Sequence, residues 1–181
     1  MNEFVFERLP PKILSVLQNL QCPNLLERHL TLVFNVSRDL VKKLTLAFSD
    51  LNINEYEVFF GAGTHDIGKI IERNELYEKG KKHEETGYKI LVDYGIEENL
   101  SRFTKTHGDW LSENLKIEDL IVSLADKIWK GQRIDDLEEK LVHKISIAQN
   151  IDYWIVYSAL DVIISEIVIG ADVRLNWQNK T

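Results

Sequence analysis

The three prolines of this 181-residue chain all lie before residue 24, at Pro10, Pro11 and Pro23. A proline inside a helix removes a hydrogen-bond donor and clashes with the preceding turn, so the rest of the chain is free to form long helices. Downstream of Pro23, apolar residues recur at three- and four-residue spacing, with no Gly/Ser-rich linker and no internal repeat. These features predict an all-α fold, a single domain over residues 1–181 built as a bundle of about seven to nine helices.

Cap and stop signals give the expected boundaries of these helices. The first clear helix begins after Pro23, with Asn24 as its N-cap, and its apolar stripe consists of Leu26, Leu30, Val33, Leu40 and Leu44. Later helices are predicted over residues 55–65, 83–93, 97–106, 117–130, 135–149 and 152–169. The last segment is rich in β-branched residues, which leaves a strand open, but helical spacing is kept by Trp154, Tyr157, Leu160 and Ile164.

Two glycines, Gly61 and Gly63, interrupt the predicted helix over residues 55–65. Each costs about 1 kcal/mol relative to alanine in a helix interior, so their presence needs a structural reason. We expect them to allow the close approach of another backbone. The helix is predicted to end near Gly68.

Composition excludes several classes of protein. A hydrophobic content of 44% is enough for one sizeable core, and a net charge of −7 with a pI near 5.3 argues against binding to a nucleic-acid polymer. The N-terminus does not have the charge pattern of a signal peptide, and the apolar stretches are too short and too charged to span a membrane. Since Cys22 is the only cysteine, an internal disulfide is excluded, and we expect a cytoplasmic protein.

Four of the five histidines and two aspartates form a candidate metal site: His29, His65, Asp66, His83, His107 and Asp126. Asp126 lies in an apolar helix, where a lone carboxylate is costly unless a cation binds it. Its neighbour Lys127 is not expected to pair with it, because adjacent helical side chains diverge. The fifth histidine, His143, is interpreted as structural.

The types of ligand restrict the metal. Neutral imidazoles together with carboxylates suit Fe, Mn, Co, Ni or Zn, and Mg is also compatible. Structural zinc sites usually use cysteine, of which this chain has one. The pattern therefore favours a catalytic site with one or two divalent ions.

The order of these residues resembles the H…HD…D signature of the HD phosphohydrolase superfamily. The matching parts are His29, the string GTHDIGK that contains His65 and Asp66, and Asp126 in SLADK. The strings HEETGYKIL and THGDW are similar to the segments that carry the two extra histidines of two-metal members. The resemblance covers residues 24–133, and residues 134–181 would add C-terminal helices that complete an HD-type fold.

The resemblance implies a role for each matched residue. His29, His65, Asp66 and Asp126 would hold a first metal, and His83 and His107 would hold a second, with Asp66 bridging. The arrangement is also similar to small bacterial HD proteins that cleave dinucleoside polyphosphates. Residues 87–89 read Gly-Tyr-Lys instead of the family's Gly-Tyr-Pro, which argues against cyclic-di-GMP as a substrate.

These observations predict a metal-dependent phosphohydrolase that acts on a small phosphorylated substrate, foremost a nucleotide, with a metal-activated water as nucleophile. Asp66 and Lys69 are the predicted catalytic residues. The predicted substrate contacts are Lys69, Lys130, Arg133 and Trp110. Two alternatives remain open: a di-iron oxygenase on the same ligands, and a non-catalytic helical module that binds a metal or a nucleotide. A homodimer is compatible with the sequence.

Overall fold

Helices provide all the regular secondary structure of residues 6–179, which are the residues described by the computed structural model. The α-helices are α1 (Pro11–Asn19), α2 (Asn24–Ala47), α3 (Glu55–Thr64), α4 (Lys82–Asp93), α5 (Glu98–Ser101), α6 (Phe103–Thr106), α7 (Ile117–Ile128), α8 (Asp135–Gln149), α9 (Tyr153–Val168) and α10 (Ala171–Gln178). Two 3₁₀ turns, Ile67–Ile70 and Arg73–Leu76, connect α3 to α4. The all-α prediction is therefore confirmed. The ends of the predicted domain, residues 1–5 and 180–181, lie outside the described residues.

Most predicted boundaries differ from the observed ones by a few residues. Helices α5 and α6 are separated only by Arg102, which itself has helical dihedral angles, so together they form the predicted helix over residues 97–106. Helix α1 was not predicted; Pro11 at its first position suits a helix start, because the missing amide has no partner there anyway. Pro23, and not Asn24, occupies the N-cap position of α2.

Helix α2 forms the centre of the fold. Its predicted apolar stripe is fully buried, and α3, α7, α9 and α10 all pack against it. One continuous apolar core joins these helices. Helices α2, α3 and α7 contact one another. Side chains at the same end of these three helices therefore lie close together.

The C-terminal helices close the bundle beside α7. Segment 153–168 is a helix, as predicted, but Trp154 is 67% exposed and therefore lies away from the core. The buried guanidinium of Arg174 in α10 donates to the carbonyl oxygens of Trp129 and Ile167, which lie at the ends of α7 and α9. Across residues 6–179, no single helix has the length and hydropathy for a membrane crossing; only α9 and α10 taken together, with a 43° bend, meet these criteria.

The expected close backbone approach occurs at a different glycine. A Cβ on Gly61 would meet the ring of Phe103 at 2.5 Å, and one on Gly63 would meet the side chain of Ile13 at 2.7 Å. Both glycines therefore make room for side chains, and the expectation of a neighbouring backbone was wrong for them. At Gly68 the neighbour is the backbone of α4, around His83 and Gly87.

Candidate metal centre

The six predicted ligands come together at one end of the bundle, although they are spread over nearly a hundred positions of the chain. His29 lies in the second turn of α2, and His65 is the C-cap residue of α3 with Asp66 directly after it. The other three are His83 in the first turn of α4, His107 at the end of α6 and Asp126 near the end of α7. Five of the six residues are buried, and His29 is partly buried.

Four of these residues form what we call the first cluster: His29, His65, Asp66 and Asp126. His29 Nε2 lies 3.2 Å from His65 Nε2, 3.2 Å from Asp66 Oδ2 and 3.3 Å from Asp126 Oδ1. His65 Nε2 lies 3.7 Å from Asp66 Oδ2 and 3.5 Å from Asp126 Oδ1. His29, His65 and Asp66 thus each offer a ligand atom within reach of one ion, and Asp126 Oδ1 lies close to both imidazole nitrogens.

The second cluster consists of Asp66, His83 and His107. Asp66 Oδ1 lies 3.1 Å from His83 Nε2 and 3.5 Å from His107 Nε2, and the two nitrogens are 3.5 Å apart. Because Asp66 turns Oδ2 to the first cluster and Oδ1 to the second, it connects the two. The buried Oδ1 accepts no hydrogen bond from any described residue.

These spacings suit a divalent transition metal. With metal–ligand distances of about 2.1 Å, neighbouring ligand atoms are about 3.0 Å apart in an octahedron and about 3.4 Å apart in a tetrahedron. The distances within both clusters lie close to these values. A buried carboxylate oxygen without a proton donor is also costly unless a cation binds it. The residues present therefore fit one or two metal ions.

Hydrogen bonds on the far side of three imidazoles fix the tautomer that coordination needs. His65 Nδ1 donates to the carbonyl oxygen of Ala62 at 3.0 Å, and His107 Nδ1 donates to that of Phe103 at 3.1 Å. A carbonyl can only accept, so each Nδ1 carries the proton and each Nε2 keeps its lone pair. In all three histidines, His83 included, the free nitrogen is the one that faces a cluster.

The charges within the site also suit cation binding. Burial raises the pKa of the Asp66 carboxyl, but the neighbouring imidazoles, foremost that of His65, outweigh this effect and hold the pKa well below its usual value. The pKa of Asp126 is lowered in the same way, with burial opposed by His29 and His65. For His65 itself burial prevails and lowers the pKa. Two ionised carboxylates and a neutral imidazole are the forms that bind metals. At His29 and His83, by contrast, burial is outweighed by Asp126 and Asp66, which raise the pKa, so a metal would have to displace a proton there.

Glu75 contacts the candidate metal centre and was missed by the sequence analysis. Its Oε2 accepts a hydrogen bond from His83 Nδ1 at 2.5 Å and from the backbone amide of His83 at 3.1 Å. Its Oε1 accepts from the amide of Lys82, so the same carboxylate caps the start of α4. An acidic residue in a polar segment without periodicity carries no signal in a single sequence.

The carboxylate–histidine contact leads to a prediction about metal affinity. The Glu75→Ala substitution removes the group that orients and polarises His83, so the second cluster should bind metal about 10–100-fold more weakly. Titration with Mn²⁺ or Co²⁺, followed by calorimetry, measures both affinities. Glu78→Ala is the control, since Glu78 lines the same cavity. Unchanged affinity in the Glu75 variant would contradict the assigned role.

The expectation for Lys127 was wrong. Its Nζ lies 2.7 Å from Asp126 Oδ2, although the two residues are adjacent on α7. The long lysine stem can curl back along the helix, which the argument from side-chain directions did not allow for. This ion pair uses Oδ2 and leaves Oδ1 to face the histidines of the first cluster.

A cavity of about 560 Å³ adjoins both clusters, and five of their six residues line it, His65 excepted. Its walls include Leu25, Leu26, Trp110 and Trp129, and five lysines line it: Lys69, Lys79, Lys81, Lys127 and Lys130. Lys69 Nζ lies 2.6 Å from Asp66 Oδ2, directly beside the first cluster. Of the predicted substrate contacts, Lys69, Lys130 and Trp110 therefore line the cavity.

The structure does not bring Arg133 to this cavity. Its guanidinium forms ion pairs with Glu138 at 2.5 Å and with Asp161 at 2.8 Å, on the side of α8 and α9. Arg133 was expected near the cavity because it follows Asp126 closely in the sequence. The chain turns at Gly131, with a φ of 83°, and takes Arg133 away from the cavity. The prediction of a substrate contact at Arg133 is corrected accordingly. His143 also lies elsewhere, against the ring of Tyr153.

This correction can be tested with a pair of variants. Arg133→Ala should leave KM for any turned-over substrate within about twofold, while it lowers the free energy of unfolding by about 1–2 kcal/mol through the lost ion pairs. Lys130→Ala, which removes a cavity lysine, should raise KM with little loss of stability. Steady-state kinetics and chemical denaturation measure both effects. A raised KM for the Arg133 variant would restore it as a substrate contact.

Comparison with known proteins is consistent with this geometry. The family model described as the HD domain matches residues 26–129, more than half of the chain and a range that includes all six residues of the two clusters. No curated protein and no solved structure matches the chain.

Proposed function

Because the chain belongs to the HD-domain family, we propose that it hydrolyses a phosphate ester or anhydride of a small phosphorylated molecule, foremost a nucleotide. The HD domain indicates a metal-dependent hydrolase, and the buried His/Asp clusters are suited to hold the ion. One observation carries the proposal: two clusters that share Asp66 adjoin a cavity lined by five lysines.

The chain would hold a first ion through His29, His65, Asp66 and Asp126, and a second through Asp66, His83 and His107. Divalent ions at these positions would supply a water that is nucleophilic near neutral pH and positive charge for the phosphoryl oxygens. Asp66 spans both clusters, so it would hold the reacting groups in a fixed geometry. Glu75 and the carbonyls of Ala62 and Phe103 keep three imidazoles in place during the reaction.

Lys69 is the proposed charge-balancing group of the reaction. Its ammonium bonds Asp66 Oδ2, yet its side chain keeps 21% of its surface exposed to the cavity. It can therefore donate a second hydrogen bond to a phosphoryl oxygen while it holds the carboxylate in place, since an ammonium has three donors. Charge development on that oxygen would be stabilised at short range.

Features further out in the cavity support an extended, negatively charged substrate. The cavity lining includes three more lysines, Lys79, Lys81 and Lys130. Apart from the cluster carboxylates and Glu75, its acidic residues are Glu78 and Glu84. Trp110 offers a flat apolar surface for a base, and Lys127 Nζ lies 5.5 Å from the centre of its ring. A cavity of about 560 Å³ is in the range of sites for small molecules. We include a dinucleoside polyphosphate in this proposal.

The lysines also discriminate between enzyme classes. A di-iron oxygenase would use the same ligands, but a neutral substrate would gain nothing from Lys79, Lys81 and Lys130, the cavity lysines beside the two that pair with Asp66 and Asp126. An anionic substrate would gain attraction from these lysines once bound metal offsets the carboxylates that line the same cavity, Asp66, Glu75, Glu78, Glu84 and Asp126. This observation favours phosphate chemistry.

The proposal is tested by a screen of the purified protein loaded with Mn, Co, Ni, Fe or Mg. The substrates are nucleotides, dinucleoside polyphosphates and cyclic nucleotides, and release of phosphate or nucleotide is measured by chromatography. We expect turnover of at least one phosphorus substrate and its loss in a His65→Ala variant. Absence of turnover throughout the screen, or oxygen consumption with a mixed-valence di-iron signal, would overturn the proposal. Substrate binding that survives in the His65 variant, without turnover in either protein, would indicate a binding module.

A further inference from the structure

The outer face of α9 carries a row of exposed apolar residues with strict spacing. Ile155, Val162 and Ile169 lie seven residues apart and are 61%, 56% and 84% exposed. Ile169 directly follows α9 and keeps helical dihedral angles, so the row continues through it. The residues midway in each interval are Ser158 and Ser165, which are also exposed. We call these five residues the α9 seam.

The seam has the spacing of a coiled coil. Positions 155, 158, 162, 165 and 169 follow alternating steps of three and four, which are the a and d positions of two heptads. The opposite face of the same helix is already buried in the core of the protein through Val156, Leu160, Ile163, Ile164 and Ile167. Helix α9 is therefore apolar on two faces, and residues 6–179 cover one of them.

We propose that the seam pairs with the seam of a second copy of this chain, with the two α9 helices antiparallel. In an antiparallel pair, an a position of one helix faces a d position of the other. Two of the three β-branched side chains would then face a serine: Ile155 would lie opposite Ser165 of the second copy, and Val162 opposite its Ser158, whereas Ile169 would lie opposite residue 151, before the start of α9. Alternating large and small residues fill the space between two helices. The same patch serves both copies, as a two-fold interface requires.

The exposed area also suits a dimer. Trp154 and Tyr157 flank the seam and contact each other with ring centres 5.7 Å apart. Together with Ile155, Val162 and Ile169 they expose roughly 600 Å², near the roughly 800 Å² that each partner contributes to an interface of standard size. Exposed apolar patches of this size mark interaction sites in monomers.

Charges at the border of the seam favour a protein partner over a lipid surface. Helix α9 contains no lysine or arginine, whereas helices that bind membrane surfaces carry them on their polar face. Its two acidic residues are neutralised within the protomer, Asp161 by Arg133 at 2.8 Å and Glu166 by Lys43 at 2.6 Å. In the antiparallel register, the two-fold axis passes near residue 160, so the Asp161 residues of the two copies approach each other and their ion pairs with Arg133 offset the repulsion.

The experiment measures the molar mass of the full chain by sedimentation equilibrium from about 1 to 100 µM, without lipid. We expect about twice the chain mass of 21.1 kDa. Val162→Glu and, separately, Ile155→Glu should raise the dissociation constant by about 100-fold or more, since each would bury a charge in the interface. Leu46→Glu, at an equally exposed apolar residue of α2, is the matched control and should remain dimeric. Circular dichroism checks that all variants fold.

A further variant tests the register. Ser165→Leu fills the small position opposite Ile155 and should weaken an antiparallel dimer. A monomeric wild-type chain at 100 µM, or a dimer that survives both glutamate variants, would overturn the proposal. A tighter dimer in the Ser165 variant would overturn the antiparallel arrangement. If the wild-type chain is monomeric and sediments with phosphatidylcholine/phosphatidylserine vesicles, the face belongs to a membrane contact and the proposal fails.

Discussion

Asp66→Asn is expected to abolish metal binding at both clusters and to reduce hydrolysis by at least about 10³-fold. The substitution keeps the volume of the side chain but removes the charge that each cluster needs, and the amide nitrogen carries no lone pair for a metal. The native carboxylate turns one oxygen to each cluster, and among residues 6–179 it is the ligand that the two clusters share. Metal content by mass spectrometry and kcat on the substrate found in the screen measure the two effects.

Other variants of the site should divide this effect between the two clusters. Asp126→Asn should lose the first ion only, because Asp126 Oδ1 faces His29 and His65, while His83→Ala should lose the second only. Glu138→Gln is the control, since Glu138 is also a buried acid but pairs with Arg133 away from the cavity. If Asp66→Asn still bound two ions per chain, the shared carboxylate would not bridge them.

The helices could be predicted because their apolar residues repeat with the period of the α-helix. Helix α2, whose whole predicted stripe is buried, is the clearest case. The same reasoning missed α1, which has only nine residues and lies between prolines. It also gave no sign of which face of α9 is buried, because that helix is apolar on two faces.

The site residues could be proposed because polar, metal-binding side chains in apolar helices are costly without a partner. The structure brings all six of them together; their coordination of a metal stays a prediction that the Asp66 variant tests. Contacts that depend on loop paths were not predictable. Glu75 reaches His83 from a 3₁₀ turn, and the turn at Gly131 takes Arg133 away from the cavity.

Gly68 connects the packing of α4 to the geometry of the metal centre. It lies in the 3₁₀ turn directly after Asp66, where the turn packs against the first two turns of α4. A Cβ at this position would overlap the carbonyl oxygen of His83 and lie 2.6 Å from the amide nitrogen of Gly87. Since both neighbours are backbone atoms, they cannot move without moving α4 as a whole.

Gly68→Ala is therefore expected to lower the free energy of unfolding by about 1–3 kcal/mol or more, a fall in Tm of about 4–10 °C, and to weaken metal binding at the second cluster. Displacement of α4 carries His83 away from Asp66, and the first cluster, which uses no residue of α4, should keep its ion.

Gly87→Ala is the matched control for this prediction, because it adds the same methyl group from the other side of the contact. There the nearest atoms are 3.1 Å away, one of them the Thr104 side chain, and alanine gains about 1 kcal/mol of helix propensity over glycine. The two effects nearly cancel, so Tm should change little. Thermal unfolding measures the Tm of both variants, and Co²⁺ titration measures their metal binding. If both alanines behave alike, backbone contact at Gly68 does not hold the second cluster together.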